Sequence, residues 1–276
     1  MPAKVGILAG TGPLPRRLVE SCNTQGRGVH VITFEGDNFN PDIADAPNTC
    51  VHLGKVGTIL LTLKEAECEQ VTMAGHFRRP AYNQLKLDLK ATRLLPKLLR
   101  AKGDDALLRV LADVLEQEGF AVVGAETLLP ALQIGPGAFG AARPSTEDEV
   151  DIDIARDLLR VLGPYDIGQA VVVRRRRVLG IEGPEGTDKL IDRCAGVDGE
   201  TGGVLVKMRK PGQDDRVDLP SIGLETARRC VDAKLSGIAV EAHAALVMDQ
   251  DALRQKADAH GLFVTAFVEG QAPDSP

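Results

Sequence analysis

The stretch "KVGILAGTGPLPRRLVESCNTQG", residues 4–26, decides the fold class. Residues 4–9 read as a buried strand, and residues 14–26 read as a helix ended by Gly26. Between them stands Gly10-Thr11-Gly12, a turn that lets a strand run straight into a helix. Working outward, "GVHVITFEG" (28–36) is a second strand, and a turn-rich stretch through Pro41 and Pro47 leads to "CVHLG" (50–54). A helix over 56–69, a strand over 70–75, helices over 85–102 and 104–119, and a strand over 120–126 complete the first half. Strands separated by helices imply a parallel sheet covered on both faces. The expected fold is therefore two α/β domains, the first Rossmann-like with a mainly parallel sheet.

"QIGPGAFGAARPS" (133–145) is rich in Gly, Pro and Ala and is the linker candidate. It sets the expected domains at 1–134 and 135–276. The second, a smaller mixed α/β domain, has a helix from 147 to 162 capped by Ser145 or Thr146. Two strands joined by a basic turn follow in 168–183, with a helix opening at "GTDKLIDRC" and a strand at 202–208. A helix over 224–237, a strand over 238–242 and a last helix–strand pair end the fold.

Composition narrows the function. The chain has 276 residues, 43% hydrophobic and 3% aromatic, which suits a core of Val, Ile, Leu and Ala. A net charge of −6 argues against nucleic acid, whose phosphates need a broad basic surface. The five cysteines lack paired metal-ligand spacing and read as reduced thiols. No apolar run reaches the roughly 18 residues of a spanning helix, and no signal segment opens the chain. A cytoplasmic protein is expected.

Three places carry candidate chemistry. Gly10, Thr11 and Gly12 lie where backbone can approach a phosphate at a helix N-terminus. Glu35, after the second strand, sits where a dinucleotide fold places its ribose-binding acid, but Pro15 breaks the glycine fingerprint. "MAGHFRRP" (73–80) also follows a strand, so Gly75, His76, Arg78 and Arg79 are candidate phosphate contacts. In the second half, Glu185, Gly186, Thr187 and Asp188 surround a glycine turn. Lys207, Gln213, Asp214, Arg216 and Asp218 follow. If 214–218 is extended, Asp214, Arg216 and Asp218 share one face. With Asp188, the two carboxylates can hold a hard cation such as Mg²⁺, and Lys207 and Arg216 can neutralise phosphate oxygens. Residues 77–102 hold eight basic residues against Asp88 alone, interleaved with leucines. That pattern fits a solvated helix face or contact with an anionic membrane.

The motifs "GILAGTGPLP", "GKVGTILLTLK", "MAGHFRRP", "KGDDALLRVLADVLEQEGF", "DIGQAVVV", "EGPEGTDKLIDR" and "GQDDRVDLPSIG" occur in this order along nearly the whole chain. Together they resemble the UDP-2,3-diacylglucosamine pyrophosphatases of lipid A biosynthesis, the LpxI type. The resemblance implies a Mg²⁺-dependent hydrolase that splits UDP-2,3-diacylglucosamine into 2,3-diacylglucosamine 1-phosphate (lipid X) and UMP. It implies two α/β domains holding the lipid between them. Gln169, inside "DIGQAVVV", joins the substrate-binding set. The resemblance does not fix which carboxylate does which job; from the residues themselves, Asp214 is the principal catalytic and metal candidate, with Asp218 and Asp188 next. Peripheral contact with the inner membrane fits an amphiphilic substrate, and a homodimer is left open. Two other readings stand beside it: an NAD(P)-dependent oxidoreductase built on the glycine turn, and a non-catalytic sugar-nucleotide-binding protein.

Overall fold

The structure is a computed structural model that describes residues 2–43, 45–77, 86–100, 103–217 and 219–269. It divides into two compact units, Met1–Pro130 with Asp214–Asp218, and Ala131–Gln213 with Leu219–Pro276.

In the first unit, β1 (Val5–Ala9) runs through the Gly10–Gly12 turn into α1 (Leu14–Thr24). Then come β2 (Val29–Phe34), β3 (Asn48–Val51), α2 (Val56–Glu65) and β4 (Gln70–Ala74). After them lie α3 (Leu89–Arg100), α4 (Gly103–Gln117), β5 (Ala121–Val122) and α5 (Ala125–Leu128). The sheet order is β3-β2-β1-β4-β5, and every pairing is parallel. This is the Rossmann-like arrangement expected, and it explains why β1 is an unbroken apolar run. A central parallel strand is buried on both faces, and all five of its residues are buried. Leu8, Ile32, Leu63, Val71 and Leu115 belong to one core cluster of this unit.

The second unit has β6 (Gly137–Ala138), α6 (Thr146–Leu162), β7 (Ala170–Arg174), β8 (Arg177–Ile181) and α7 (Thr187–Cys194). It continues with β9 (Val204–Lys207), β10 (Ser221–Ile222), α8 (Leu224–Asp232), β11 (Gly237–Glu241), β12 (Leu246–Val247), α9 (Gln250–Ala259) and β13 (Phe263–Phe267). Its six-stranded sheet runs β6-β13-β11-β9-β7-β8, one strand wider than the first unit's. β9, β11 and β13 are parallel, whereas β6, β7 and β8 pair antiparallel to their neighbours. Ser145 caps α6: its hydroxyl accepts from Asp148 N–H, and the Asp148 carboxylate accepts from Ser145 N–H at 2.9 Å. The glycine-rich stretch around residue 135 is more than a linker, because β6 lies within it and pairs with β13.

Asp151 settles the basic turn between β7 and β8. Its buried carboxylate accepts the N–H groups of Arg175 (2.8 Å) and Arg176 (2.6 Å), both of which have left-handed backbone. Among the described residues, no helix is long and apolar enough to cross a membrane.

Candidate functional site

In the first unit the strand order reverses between β1 and β4, and ligands of open α/β sheets bind at the carboxyl edge of such a switch point. The turns leaving these two strands meet there. Thr11 N–H donates to His76 O and His76 N–H to Thr11 O, each at 2.9 Å, while Gly10 N–H donates to Ala74 O at 2.8 Å. The contact is too close for side chains. A Cβ on Gly10 would stand 2.6 Å from His76 O, and one on Gly75, whose φ is +89°, would stand 2.5 Å from Thr11 O. Gly12 differs: its φ is +95°, but nothing lies within 4 Å of a Cβ placed there.

Asn40, a buried residue that the sequence motifs do not single out, holds this loop from behind. Its Nδ2 donates to Gly10 O at 2.8 Å and to Gly12 O at 2.9 Å. The helix that follows is a thinner anion cradle than its position suggests. Pro13 is its N-cap and Pro15 lies in its first turn, and neither has an N–H to offer. His76 is exposed. Arg78 and Arg79 lie outside the described residues.

In the second unit, the carboxyl ends of β8 and β9 and the amino end of β7 collect a buried polar chain. Lys207, the last residue of β9, is 4% exposed, and Glu182, just after β8, is 8% exposed. Lys207 Nζ donates to Thr187 Oγ1 (2.8 Å) and to Ser221 O (2.9 Å). The Thr187 hydroxyl donates in turn to Glu182 Oε1 at 2.5 Å, and Gln169 N–H donates to Glu182 Oε2 at 2.8 Å. Gln169 Oε1 is buried and has no partner among the described residues. Gln169, Thr187 and Lys207 are among the candidates read from the sequence; Glu182, although it opens the motif "EGPEGTDKLIDR", is not. At the end of the neighbouring β11, Glu241 is also buried; desolvation pushes its carboxyl up, against the pull of Arg209, whose Nε donates to it at 3.0 Å.

The remaining candidates of this unit are more open. Gly186, with φ +83°, caps α7, and no atom stands within 4 Å of a Cβ there. Glu185 pairs with Arg193 at 3.2 Å; hydrogen bonding from its own backbone, with Gly183 and Arg193 adding, holds its carboxyl below the ordinary value. Asp188 is half exposed and faces Arg229 at 3.4 Å, a guanidinium it shares with Asp192 (2.7 Å) and Glu225 (3.1 Å). Gln213 is buried, and its Oε1 accepts Lys210 N–H at 2.9 Å.

The 214–217 segment corrects the expectation of an extended strand. Asp214 O accepts Val217 N–H at 3.1 Å, and Asp214 Oδ1 accepts Arg216 N–H, also at 3.1 Å. That is a turn closed by an aspartate side chain, which competes for the backbone donors that a strand would need. Val217 is buried in the core cluster of the first unit. The face shared by Asp214 and Arg216 therefore comes from a turn rather than from strand alternation. Arg216 Nη2 and Nε donate to Asp214 at 2.7 and 2.9 Å, and Nη1 donates to Glu116. The Arg216 hydrogen bond holds the Asp214 carboxyl below its usual value, against partial burial. Asp218 lies outside the described residues.

The donor set offered to a cation is made of carboxylate oxygens, which suits a hard ion. Among the described residues, no group of three His, Cys, Asp or Glu side chains is gathered around one point.

A parallel sheet with a glycine turn at its switch point, in one chain with a mixed sheet that carries a lysine–threonine–glutamate relay, defines a two-domain α/β protein with polar groups gathered at its strand ends. Comparison with known proteins places it further. The model of the LpxI N-terminal domain matches residues 4–132 and that of the LpxI C-terminal domain matches 135–265, so the chain belongs to the LpxI family. It is 39% identical to the UDP-2,3-diacylglucosamine pyrophosphatase LpxI of Caulobacter vibrioides, over 98% of this chain and 99% of that protein. Among solved structures, the biotin carboxylase domain of a Hydrogenobacter thermophilus 2-oxoglutarate carboxylase matches at 12% identity and TM-score 0.28, covering 71% of this chain and 42% of that one. An N5-carboxyaminoimidazole synthetase from Staphylococcus aureus matches at 17% identity and TM-score 0.23, covering 70% and 44%. Likenesses of that size say nothing about fold or function. No observation favours the nicotinamide reading or the non-catalytic one.

Proposed function

We propose that the protein hydrolyses the pyrophosphate bond of UDP-2,3-diacylglucosamine, releasing lipid X and UMP. The observation that carries this reading is end-to-end identity of 39% with a protein of that named activity, across both domains. The two polar regions are consistent with it. A pyrophosphate is anionic and repels an incoming oxygen nucleophile, so the site must supply positive charge where negative charge builds up. Lys207 is a buried cation at a strand end of the second unit, and Arg216 is the cation of the 214–217 turn. The Gly10–Gly12 loop, with Gly75 and His76 beside it, offers backbone at which a nucleotide can approach.

Mg²⁺ dependence belongs to the same proposal. Asp214, Asp218 and Asp188 are the candidate oxygen donors, the first two in one unit and the third in the other, and a bound ion would polarise a phosphoryl oxygen and lower the pKa of water. Asp214 is suited to lie beside a cation because Arg216 keeps it ionised to low pH. The same depressed pKa makes it a weak base, so its role is to orient the attacking water by accepting a hydrogen bond.

The purified protein is expected to convert UDP-2,3-diacylglucosamine to UMP and lipid X, read by phosphorus NMR, and to stop in excess EDTA and resume with added Mg²⁺. Full turnover in chelator would remove the metal. No turnover under any metal would remove the activity itself.

A further inference from the structure

Glu182 is a buried carboxylate to which the reading above gives no task. Its place is tightly fixed. Gly168, with φ +56°, approaches so closely that a Cβ on it would stand 2.3 Å from Glu182 O, and Glu182 N–H donates to Ala170 O at 2.9 Å. Both carboxylate oxygens are engaged, one by Gln169 N–H and one by the Thr187 hydroxyl.

A hydroxyl has one proton, and Thr187 directs it to Glu182. Its lone pairs therefore face Lys207 Nζ, which donates to it at 2.8 Å. The direction of the chain follows from this: ammonium to hydroxyl to carboxylate. Removing the carboxylate charge weakens the acceptor that holds the threonine proton, so the hydroxyl can rotate and its lone pairs no longer stay aimed at the ammonium. It also leaves a buried ammonium without the buried anion at the far end of its hydrogen-bond chain.

We propose that Glu182 is a positioning residue for the hydrolysis, acting through the Thr187 hydroxyl to fix the Lys207 ammonium in the direction in which it meets the substrate's phosphates. This rests on the reading of Lys207 as a phosphate-neutralising cation. An ammonium held in place before the reaction stabilises the transition state more than the ground state, so its loss of direction lowers kcat and leaves KM.

The test uses the full chain and UDP-2,3-diacylglucosamine, with melting temperature recorded for every variant. Glu182→Gln keeps the size but can accept from only one of its two donors, and kcat should fall at least tenfold with KM within twofold of wild type. Thr187→Val should lose a similar factor, and Thr187→Ser, which keeps the hydroxyl, should recover most of it. The double variant Glu182→Gln/Thr187→Val should be no slower than the worse single variant, because both break one chain. A folded Glu182→Gln with unchanged kcat overturns the proposal. So do losses that multiply in the double variant, or a kcat that falls only in step with melting temperature. An inactive wild type would instead refute the assigned activity, so the two failures are distinct.

Discussion

The glycine loop of the first unit and the relay of the second solve the same problem, presenting polar groups at a sheet edge, with opposite materials. The loop is backbone: Gly10, Thr11 and Gly12 pressed against Gly75 and His76, with Asn40 holding two carbonyls. The relay is side chain: buried Lys207 and Glu182 joined through the half-buried Thr187. A backbone site is damaged by adding atoms, whereas a side-chain site is damaged by removing charge. The 214–217 turn combines both, since an aspartate side chain shapes the backbone that presents it.

The largest effect should come from that turn. Asp214→Ala is expected to lower kcat by about 10²–10⁴-fold, the range for a residue positioned on the reacting groups. Substrate binding should persist, because the acyl chains and uridine supply most of it. Asp215→Ala is the control and should keep most activity, since Asp214, not Asp215, closes the turn and engages Arg216. Equal losses in steady-state assays of the two variants would deny the turn any selective role.

Next are the glycines, where the backbone site can be broken in two different ways. Gly75→Ala puts a Cβ 2.5 Å from Thr11 O, a backbone atom that cannot swing away. Overpacking and left-handed strain together should destabilise by about 2–5 kcal/mol in urea melts. Gly12→Val meets open space, so the fold should survive with only the strain of its φ, and KM should rise about tenfold, equivalent to ~1.4 kcal/mol. A destabilised Gly12 variant with unchanged KM would make the loop purely structural.

How much of this was readable in the sequence depends on whether the signal is local. The strand–helix order follows from apolar runs broken by glycine and proline, and those runs are continuous in sequence. Gly10 and Gly12 are equally visible because a turn between strand and helix needs them. Glu182 is not, since its partners arrive from the start of β7 and the start of α7, and nothing near it in sequence marks it as buried. Asn40 is hidden for the same reason, thirty residues from the loop that it holds. The acid–arginine–acid alternation in 214–218 suggests a strand, but period two over five residues is weak beside an aspartate that captures its own chain's N–H groups. Val217, buried in the first unit's core, anchors the turn in a way no local pattern announces.

A smaller effect should come from acid. Arg216 depresses the Asp214 carboxyl, so this pair contributes stability that is fully present above the ordinary carboxylate value and is lost as pH falls through the lower folded value. With Arg216 40% exposed, about 1 kcal/mol is at stake. Arg216→Ala should melt below wild type at pH 7, and the gap should close as acid protonates the Asp214 carboxyl, below the ordinary carboxylate range. A gap that stays constant with pH would assign the loss to packing instead of charge.

The smallest effect concerns α3, which neither the backbone site nor the relay uses. Its sequence alternates bases with leucines, but the structure divides them. Ala91 is buried in the first unit's core, and Leu87 and Leu94 pack against it, while Leu89 is 70% exposed. Lys90 is engaged by Glu118, which also accepts from Lys64 at 2.6 Å, and the two bonds lower the Glu118 carboxyl to about 2. That leaves Arg93 and Lys97 exposed, with Leu89 as the large apolar side chain near them. Two bases near an anionic leaflet are worth about 1 kcal/mol each, so reversing both to Glu should weaken sedimentation with phosphatidylglycerol vesicles by roughly tenfold or more. Neutral phosphatidylcholine vesicles should show no difference between variant and wild type. If the variant and wild type sediment alike with both lipids, α3 is an ordinary helix with one face in the core and the other in water, and the enzyme meets its lipid elsewhere.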